Sequence, residues 1–325
     1  MTAHPVPVLI PGRVNARVVD RVSNEFRPVM IERADPDLVD DAMKAEIRAI
    51  ASMTVITADF IDAFPNLEII AHFGVGYDMV DADHAGKKGI AVTHTPDVLT
   101  DEVADTALGL LINTVRELPR AEAYLRAGRW LSEGSYPLTP LTLRQRSVGI
   151  YGLGRIGRAI ATRLEAFGLP VAYHTRNRRH DVSYRYAPTL IELAETVDTL
   201  IAVVPGGEAT RNAVSTPVLE ALGSDGVLIS IGRGTTIDEP ALIEALRNGT
   251  IAAAGLDVFA DEPNVPEALI ALPNASLLPH VASASVHTRK AMADLVVDNL
   301  CAWFENGKPL TAVPETRHVV ARSGR

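Results

Sequence analysis

Ser147-Val148-Gly149-Ile150-Tyr151-Gly152-Leu153-Gly154-Arg155-Ile156-Gly157-Arg158 is the stretch that decides the fold. It opens as an apolar run the length of one buried parallel strand, then turns through three glycines. A helical pattern follows, with Ala159, Ile160, Leu164 and Phe167 as its apolar positions. Strand, Gly-x-Gly-x-x-Gly and helix in that order form the dinucleotide-binding fingerprint. Gly152 permits the tight turn, Gly154 lets the backbone approach a pyrophosphate, and Gly157 allows the helix to sit close on the strand. The helix start, including Arg155 and Ile156, then offers N–H groups to phosphates. Glycine-rich turns are common, so the flanking strand and helix carry the weight of this assignment.

Outward from that stretch, the 325 residues allow two domains, each with its own core. Hydrophobic residues make up 47% and charged residues 22%, the balance of a globular protein. A net charge of -9 argues against nucleic acid as a general partner, because phosphate backbones need a basic face. The single cysteine, Cys301, excludes an internal disulfide framework and a cysteine-based zinc site. A reducing cytoplasm is the expected compartment. No signal peptide is visible from Met1 to Ile10, and no apolar run has the length of a membrane span.

On the N-terminal side the pattern alternates between strand and helix. Strands are expected at Val6–Ile10, Pro28–Ile31, Met53–Thr57, Leu67–Phe73 and Ile90–Thr93, and helices at Ala16–Phe26, Pro36–Ile50 and Asp59–Phe64. Such alternation implies a parallel sheet covered by helices. Ligands on these sheets bind beyond the carboxyl ends of strands, which draws attention to Ser52-Met53-Thr54 and Gly74-Val75-Gly76-Tyr77-Asp78. Gly74 and Gly76 read equally well as an ordinary turn. Thr100–Arg116 is a helix with acids in its first turn and an apolar face broad enough to be buried between domains. The loop from Gly128 to Pro140 is long for a connection, and its Trp130 and Tyr136 suit packing on a partner subunit.

Beyond the fingerprint the alternation resumes, with strands at Val171–His174, Thr199–Val204, Gly226–Ile231 and Ile251–Val258. Helices follow Thr216-Pro217 and span Glu239–Arg247, and a last helix runs from about Ser285 to Glu305. The tail beyond Pro309 is polar and basic, ordered only where it touches the body.

The end of the second strand after a fingerprint usually carries an acid that holds the ribose 2′-hydroxyl. Here it reads His174-Thr175-Arg176-Asn177-Arg178-Arg179, with no acid before Asp181. A guanidinium fork pairs with a 2′-phosphate that an aspartate would repel. Arg176, helped by Thr175 and Asn177, therefore points to NADP(H) over NAD(H), the plain alternative being a solvated basic loop.

Three polar residues follow later strands: Arg233 in Gly232-Arg233-Gly234, Glu262 beyond Val258-Phe259, and His280 after Leu278-Pro279. Parallel strands bring such positions to one edge. Reduction of a 2-keto acid needs this trio. The arginine grips the carboxylate in bidentate fashion, and the histidine protonates the ketone oxygen as hydride reaches carbon. The glutamate orients the imidazole and favours its charged form. Taken singly, Arg233 reads as a surface cation, His280 as a structural histidine and Glu262 as a loop acid. No metal is required, since the histidines lack the spacing of a zinc site.

Over essentially its full length the chain resembles the D-isomer-specific 2-hydroxyacid dehydrogenases. The resemblance rests on Gly74–Asp78, Thr95–Asp105, Gly152–Gly157, Gly232-Arg233-Gly234 with Asp238-Glu239, Gly255–Phe259 with Glu262-Pro263, and Leu278-Pro279-His280. It implies an α/β protein of two parallel-sheet domains with helices on both faces. Residues 1–98 and 285–325 would form a discontinuous, flavodoxin-like substrate domain, and residues 99–284 a Rossmann nucleotide-binding domain. The family's arginine, glutamate and histidine fall on Arg233, Glu262 and His280. The resemblance further implies that Val75 and Gly76 offer N–H groups to the substrate carboxylate, with Ser52 and Met53 in the pocket loop. It places Asp257 on the nicotinamide amide, with Ile231 and Ser283 nearby. A homodimer through the Thr100 helix and the Trp130 loop is also implied. The Thr95–Thr100 segment, Val204-Pro205-Gly206-Gly207 and the arginine-rich turn resemble the glyoxylate/hydroxypyruvate reductase branch, which uses NADPH on small 2-keto acids. Ser230, Ile231 and Ala282 stand where Asn, Val and Gly are frequent. Alternatives are a reductase of bulkier keto acids of the phenylpyruvate or hydroxyphenylpyruvate type, or a nucleotide-sensing scaffold without turnover.

Overall fold

The computed structural model describes residues 6–321. The chain divides into two compact units, Met1–Leu99 with Ser285–Arg325, and Thr100–Ala284. In the first unit the strands are β1 (Pro7–Pro11), β2 (Arg27–Ile31), β3 (Ala49–Ser52), β4 (Ile69–His72) and β5 (Ala91–Thr93). They form one parallel sheet in the order β2-β1-β3-β4-β5, the doubly wound order of flavodoxin-like domains. Its core gathers Leu9, Ile50, Ile70 and Val92 from the strands with Phe60 and Ile61 from the helix Ala58–Asp62 and Phe64 just beyond it.

The second unit holds β6 (Val148–Tyr151), β7 (Val171–His174), β8 (Arg185–Tyr186), β9 (Thr199–Ala202), β10 (Val227–Ser230), β11 (Ala253–Leu256) and β12 (Ala275–Leu277). All pairs are parallel, in the order β12-β11-β10-β9-β6-β7-β8. The chain reverses direction across the sheet between β6 and β9, and the carboxyl ends of those strands border the crevice where such folds take nucleotides.

Several expected elements are corrected. Pro36–Ile50 is not one helix. A single tight turn at Pro36–Leu38 gives way to a helix at Asp41–Glu46, capped by Asp40, whose carboxylate accepts the N–H of Met43 at 2.8 Å. Ile47 then turns extended, and Ile50 lies inside β3, one element earlier than the strand expected at Met53–Thr57. The sequence Ala-Ile-Ala-Ser hides a strand because its place between β1 and β4, buried on both faces, favours small side chains. Residues 53–57 are instead a loop, in which Thr57 caps the helix Ala58–Asp62.

The helix Thr100–Arg116 packs on its own unit's sheet. Gly255 in β11 makes room for it, since a Cβ there would lie 2.5 Å from Thr114 Oγ1 and 2.9 Å from Leu110 Cγ. The connection after it contains the helices Leu118–Arg126 and Arg129–Glu133, the second of which falls where a loop from Gly128 was expected. The helix after β9 starts one residue earlier than expected, with Ser215 at the cap and Thr216 inside. The described part of the tail is built in. Val313 is buried and donates its N–H to the Val92 carbonyl, while Thr316 Oγ1 accepts the Val92 N–H. No helix among the described residues is long and apolar enough to cross a membrane.

Candidate active site

The fingerprint turn follows β6. Gly152 has φ +107°, and a Cβ on it would lie 2.8 Å from the Val204 side chain, so the turn closes against the segment leaving β9. A Cβ on Gly157 would come within 2.1 Å of the Gly152 carbonyl oxygen, so the helix Arg155–Ala166 rests directly on the turn. Gly154 faces open space, and no side chain caps the helix start. Uncapped N–H groups beside an open glycine fit a pyrophosphate. Arg155 is exposed and Ile156 half-buried at that start; Val204 is buried and Pro205 exposed on the facing loop.

Beyond β7, Tyr173 pins the basic turn by donating its hydroxyl to the Arg179 carbonyl and accepting the Arg179 N–H. Thr175 Oγ1 donates to the Asn177 carbonyl at 2.7 Å. Asp181 is engaged by Arg158 at 2.5 Å and by Arg179 at 3.7 Å, which hold its carboxyl below the usual range. Arg176 and Asn177 are exposed, and Arg176 forms no ion pair among the described residues. A cationic turn whose nearby acid is already spent fits a 2′-phosphate better than a 2′-hydroxyl.

At the other side of the same sheet edge, β10, β11 and β12 deliver the trio. His280 Nδ1 lies 2.6 Å from Glu262 Oε2, and Glu262 Oε1 accepts the Phe259 N–H at 3.0 Å. Burial pushes the Glu262 carboxyl up. The hydrogen bonds from His280 and Phe259, with the charges of His280 and Arg233, outweigh it and hold the group below its ordinary value. An ionised Glu262 fixes Nδ1 of His280 as the proton-bearing donor in this contact.

His280 sits in the left-handed region at φ 51°. Asp257 secures that conformation. Its carbonyl accepts the His280 N–H, and its two carboxylate oxygens accept the N–H groups of Val281 and Ala282 at 2.8 and 2.9 Å. Asp257 is fully buried, which raises its carboxyl despite those bonds. Asp257 thus has a structural duty that its position in the sequence did not announce. Ile231 and Ser283 are also buried, close behind the segments bearing Arg233 and His280.

Arg233 is held by its two glycine neighbours. A Cβ on Gly232 would lie 2.6 Å from the Val204 carbonyl oxygen, and one on Gly234 would lie 1.9 Å from the Phe259 carbonyl carbon. The arginine loop is therefore wedged between two backbones, and its own carbonyl accepts the hydroxyl of buried Thr236 at 2.7 Å. Glu239, also buried, accepts the Ala260 N–H at 2.6 Å and braces the segment leading to Glu262. The sequence signal for it was Asp238-Glu239 after Gly-Arg-Gly, whose purpose only the packing reveals. A cavity of about 340 Å³ lies beside the pair, lined by Phe259, Val265, Ile270 and Leu277 along with Glu262 and His280.

In the first unit, Ser52 is fully buried, and its hydroxyl both donates to the Thr54 carbonyl and accepts the Thr54 N–H, so it shapes the turn. Met53 beside it is exposed. Val75 and Gly76 lie partly exposed in the loop after β4. No cluster of metal-ligating side chains occurs among the described residues.

Comparison with known proteins agrees with this fold. Residues 108–282 match the family model of the D-isomer specific 2-hydroxyacid dehydrogenase NAD-binding domain. A glyoxylate/hydroxypyruvate reductase A of Arabidopsis thaliana is 49% identical, the match covering 82% of this chain and 85% of that one. A hydroxyphenylpyruvate reductase of Plectranthus scutellarioides is 48% identical over 83% of this chain and 86% of its own. Among solved structures, an NADPH-dependent glyoxylate/hydroxypyruvate reductase of Sinorhizobium meliloti, in complex with NADP and malonate, is 58% identical. It superimposes with a TM-score of 0.96 over 99% of this chain and 100% of that one. The fold is that of a nucleotide-binding α/β protein, with a hydrogen-bonded Glu262–His280 pair at its sheet edge. The chain belongs to the D-isomer-specific 2-hydroxyacid dehydrogenase family, in its glyoxylate/hydroxypyruvate reductase branch.

Proposed function

We propose that this protein is an NADPH-dependent reductase of small 2-keto acids, converting glyoxylate to glycolate and hydroxypyruvate to D-glycerate. The observation that carries the proposal is the Glu262–His280 hydrogen bond at 2.6 Å, built at the same sheet edge as Arg233 and the fingerprint turn. Arg233 grips the substrate carboxylate with its fork, joined by the N–H groups of Val75 and Gly76. His280, with Nδ1 committed to Glu262, gives the proton on Nε2 to the ketone oxygen, and Glu262 stabilises the charge while it lasts. The fingerprint turn would hold NADPH, whose nicotinamide would supply the hydride for the carbonyl carbon. Val204, Pro205, Ile231, Asp257 and Ser283 are assigned to its nicotinamide half, and Thr175, Arg176 and Asn177 to its 2′-phosphate.

Reduction of bulkier, aromatic keto acids is the second reading. It is favoured by the apolar lining of the cavity that abuts His280 and by the similarity to the hydroxyphenylpyruvate reductase. A homodimer is proposed as well, because Leu125, Trp130, Leu131 and Leu138 leave exposed apolar surface on the segment after Thr100–Arg116. The deciding experiment is NADPH oxidation with a panel running from glyoxylate and hydroxypyruvate to hydroxyphenylpyruvate. Highest kcat/KM for the two small acids is expected. Turnover confined to the aromatic acids would replace the first reading with the second, and no turnover on any would sink both.

A further inference from the structure

The loop after β4 is pinned to the segment after β5 at two consecutive peptide units. The Gly74 carbonyl accepts the N–H of Thr95 at 2.8 Å, and the Val75 carbonyl lies 2.8 Å from Nδ1 of His94. In a trans peptide the C=O and the following N–H point in opposite directions. Fixing the Gly74 carbonyl therefore aims the Val75 N–H away from the 94–95 segment, and fixing the Val75 carbonyl aims the Gly76 N–H the same way. Neither amide donates to a protein acceptor among the described residues. Two successive N–H groups turned to one side make a small anion-receiving concavity.

We infer that His94 is a positioning residue for substrate recognition. By donating from Nδ1 to the Val75 carbonyl, it holds the Val75–Gly76 peptide so that the Gly76 N–H meets the keto-acid carboxylate. This rests on the assignment of Val75 and Gly76 to that carboxylate. A carbonyl can only accept, so the contact requires the Nδ1–H form of the ring. The ring is itself held from two directions. Tyr77 meets it edge-on at 5.5 Å between centroids, and the Tyr77 hydroxyl is anchored on the Glu315 carboxylate at 3.1–3.2 Å. The backbone of His94 is fixed by Thr311, whose hydroxyl donates to the His94 carbonyl at 2.6 Å, and Thr311 is in turn bonded to buried Asn299. The returning C-terminal segment thus supports the loop on which substrate recognition depends.

The test compares His94→Asn with His94→Leu, two side chains of equal shape of which only the first keeps a donor near the Val75 carbonyl. His94→Leu is expected to raise KM for glyoxylate about ten- to a hundred-fold, the worth of a hydrogen bond to a charged group. Its kcat should change far less and KM for NADPH should stay put, while His94→Asn recovers most of the loss. Equal KM in the Asn and Leu variants overturns the inference, as does a loss seen only in thermal stability. If His94→Leu does not fold, His94→Asp, which has the Asn shape without the donor, takes its place under the same criteria. Gly76→Pro deletes the N–H itself and tests the underlying assignment. If the folded proline variant keeps the wild-type KM for glyoxylate, the carboxylate assignment fails. If its KM rises and that of His94→Leu does not, the role of His94 alone fails.

Discussion

The two sheets of this molecule equip their carboxyl edges in opposite ways. In the second unit, charged side chains stand at the strand ends and the backbone serves them. Asp257 gathers three consecutive N–H and C=O contacts so that His280 can adopt φ 51°, and Gly232 and Gly234 let two backbones close on the arginine loop. In the first unit the roles reverse. Side chains such as Ser52 and His94 are committed to backbone partners, while the N–H groups of Val75 and Gly76 donate to no protein acceptor among the described residues. One edge carries the Glu262–His280 pair and an arginine; the other carries a loop fixed through its carbonyls.

The sharpest way to break this contrast is to remove chemistry from the second edge. His280→Ala should lower kcat/KM for glyoxylate about 10²- to 10⁴-fold, as expected for loss of a positioned general acid. NADPH affinity, followed by cofactor fluorescence, should hardly change. Activity within tenfold of wild type would mean the pair is structural. Next in size is Gly234→Ala, which leaves every catalytic group in place and attacks only the wedge. Its Cβ would stand 1.9 Å from the Phe259 carbonyl carbon, so backbone must move. A loss of about 1–3 kcal/mol in chemical denaturation is expected, together with a fall in kcat. A stable, fully active variant would show that the wedge does not position Arg233.

A smaller and more selective effect is expected at the nucleotide turn. Arg176→Ala should raise KM for NADPH about tenfold or more, the scale of one charge-assisted contact, and leave KM for NADH nearly unchanged. Equal damage to both cofactors would remove the 2′-phosphate from the account. The smallest effect concerns Glu262. Its carboxyl is held below the ordinary value of 4.5, so the stability it contributes is present above that pH and disappears as pH falls through the lower folded value. Side-chain exposure of 34% keeps the contribution modest. Thermal melts of wild type and Glu262→Gln should differ above about pH 5 and converge in more acidic solution. A gap that widens on acidification would contradict the ion pair.

The same contrast explains what could be read in advance. The second unit was legible because its chemistry resides in side-chain identity and glycine spacing. Gly152, Gly154 and Gly157 mark a turn, and Arg233, Glu262 and His280, each ordinary alone, stand out because all three follow strands behind that turn. The first unit was less so. β3 was misplaced because Ala49, Ile50, Ala51 and Ser52 offer only one β-branched residue among small ones, too little to announce a strand. Pro36–Ile50 imitated one helix because its apolar residues happen to fall at helical intervals, and only the cap at Asp40 and the turn at Ile47 break it. The inward packing of Val313 and Thr316 was hidden by the polar character of the tail around them.

By itself, then, the sequence determined the doubly wound class and the nucleotide turn, and it singled out the basic patch at Arg176 and the candidates Arg233, Glu262 and His280, because each follows from local periodicity or from side-chain chemistry. The tertiary structure decided which side-chain groups remain available and which are spent. Ser52 is consumed in its own turn, Asp257 carries the backbone of His280, and His94 fixes the direction of a peptide plane. The physical reason is that hydrogen-bond commitments are made by groups far apart in the chain, and a peptide's direction leaves no mark on the residue that bears it.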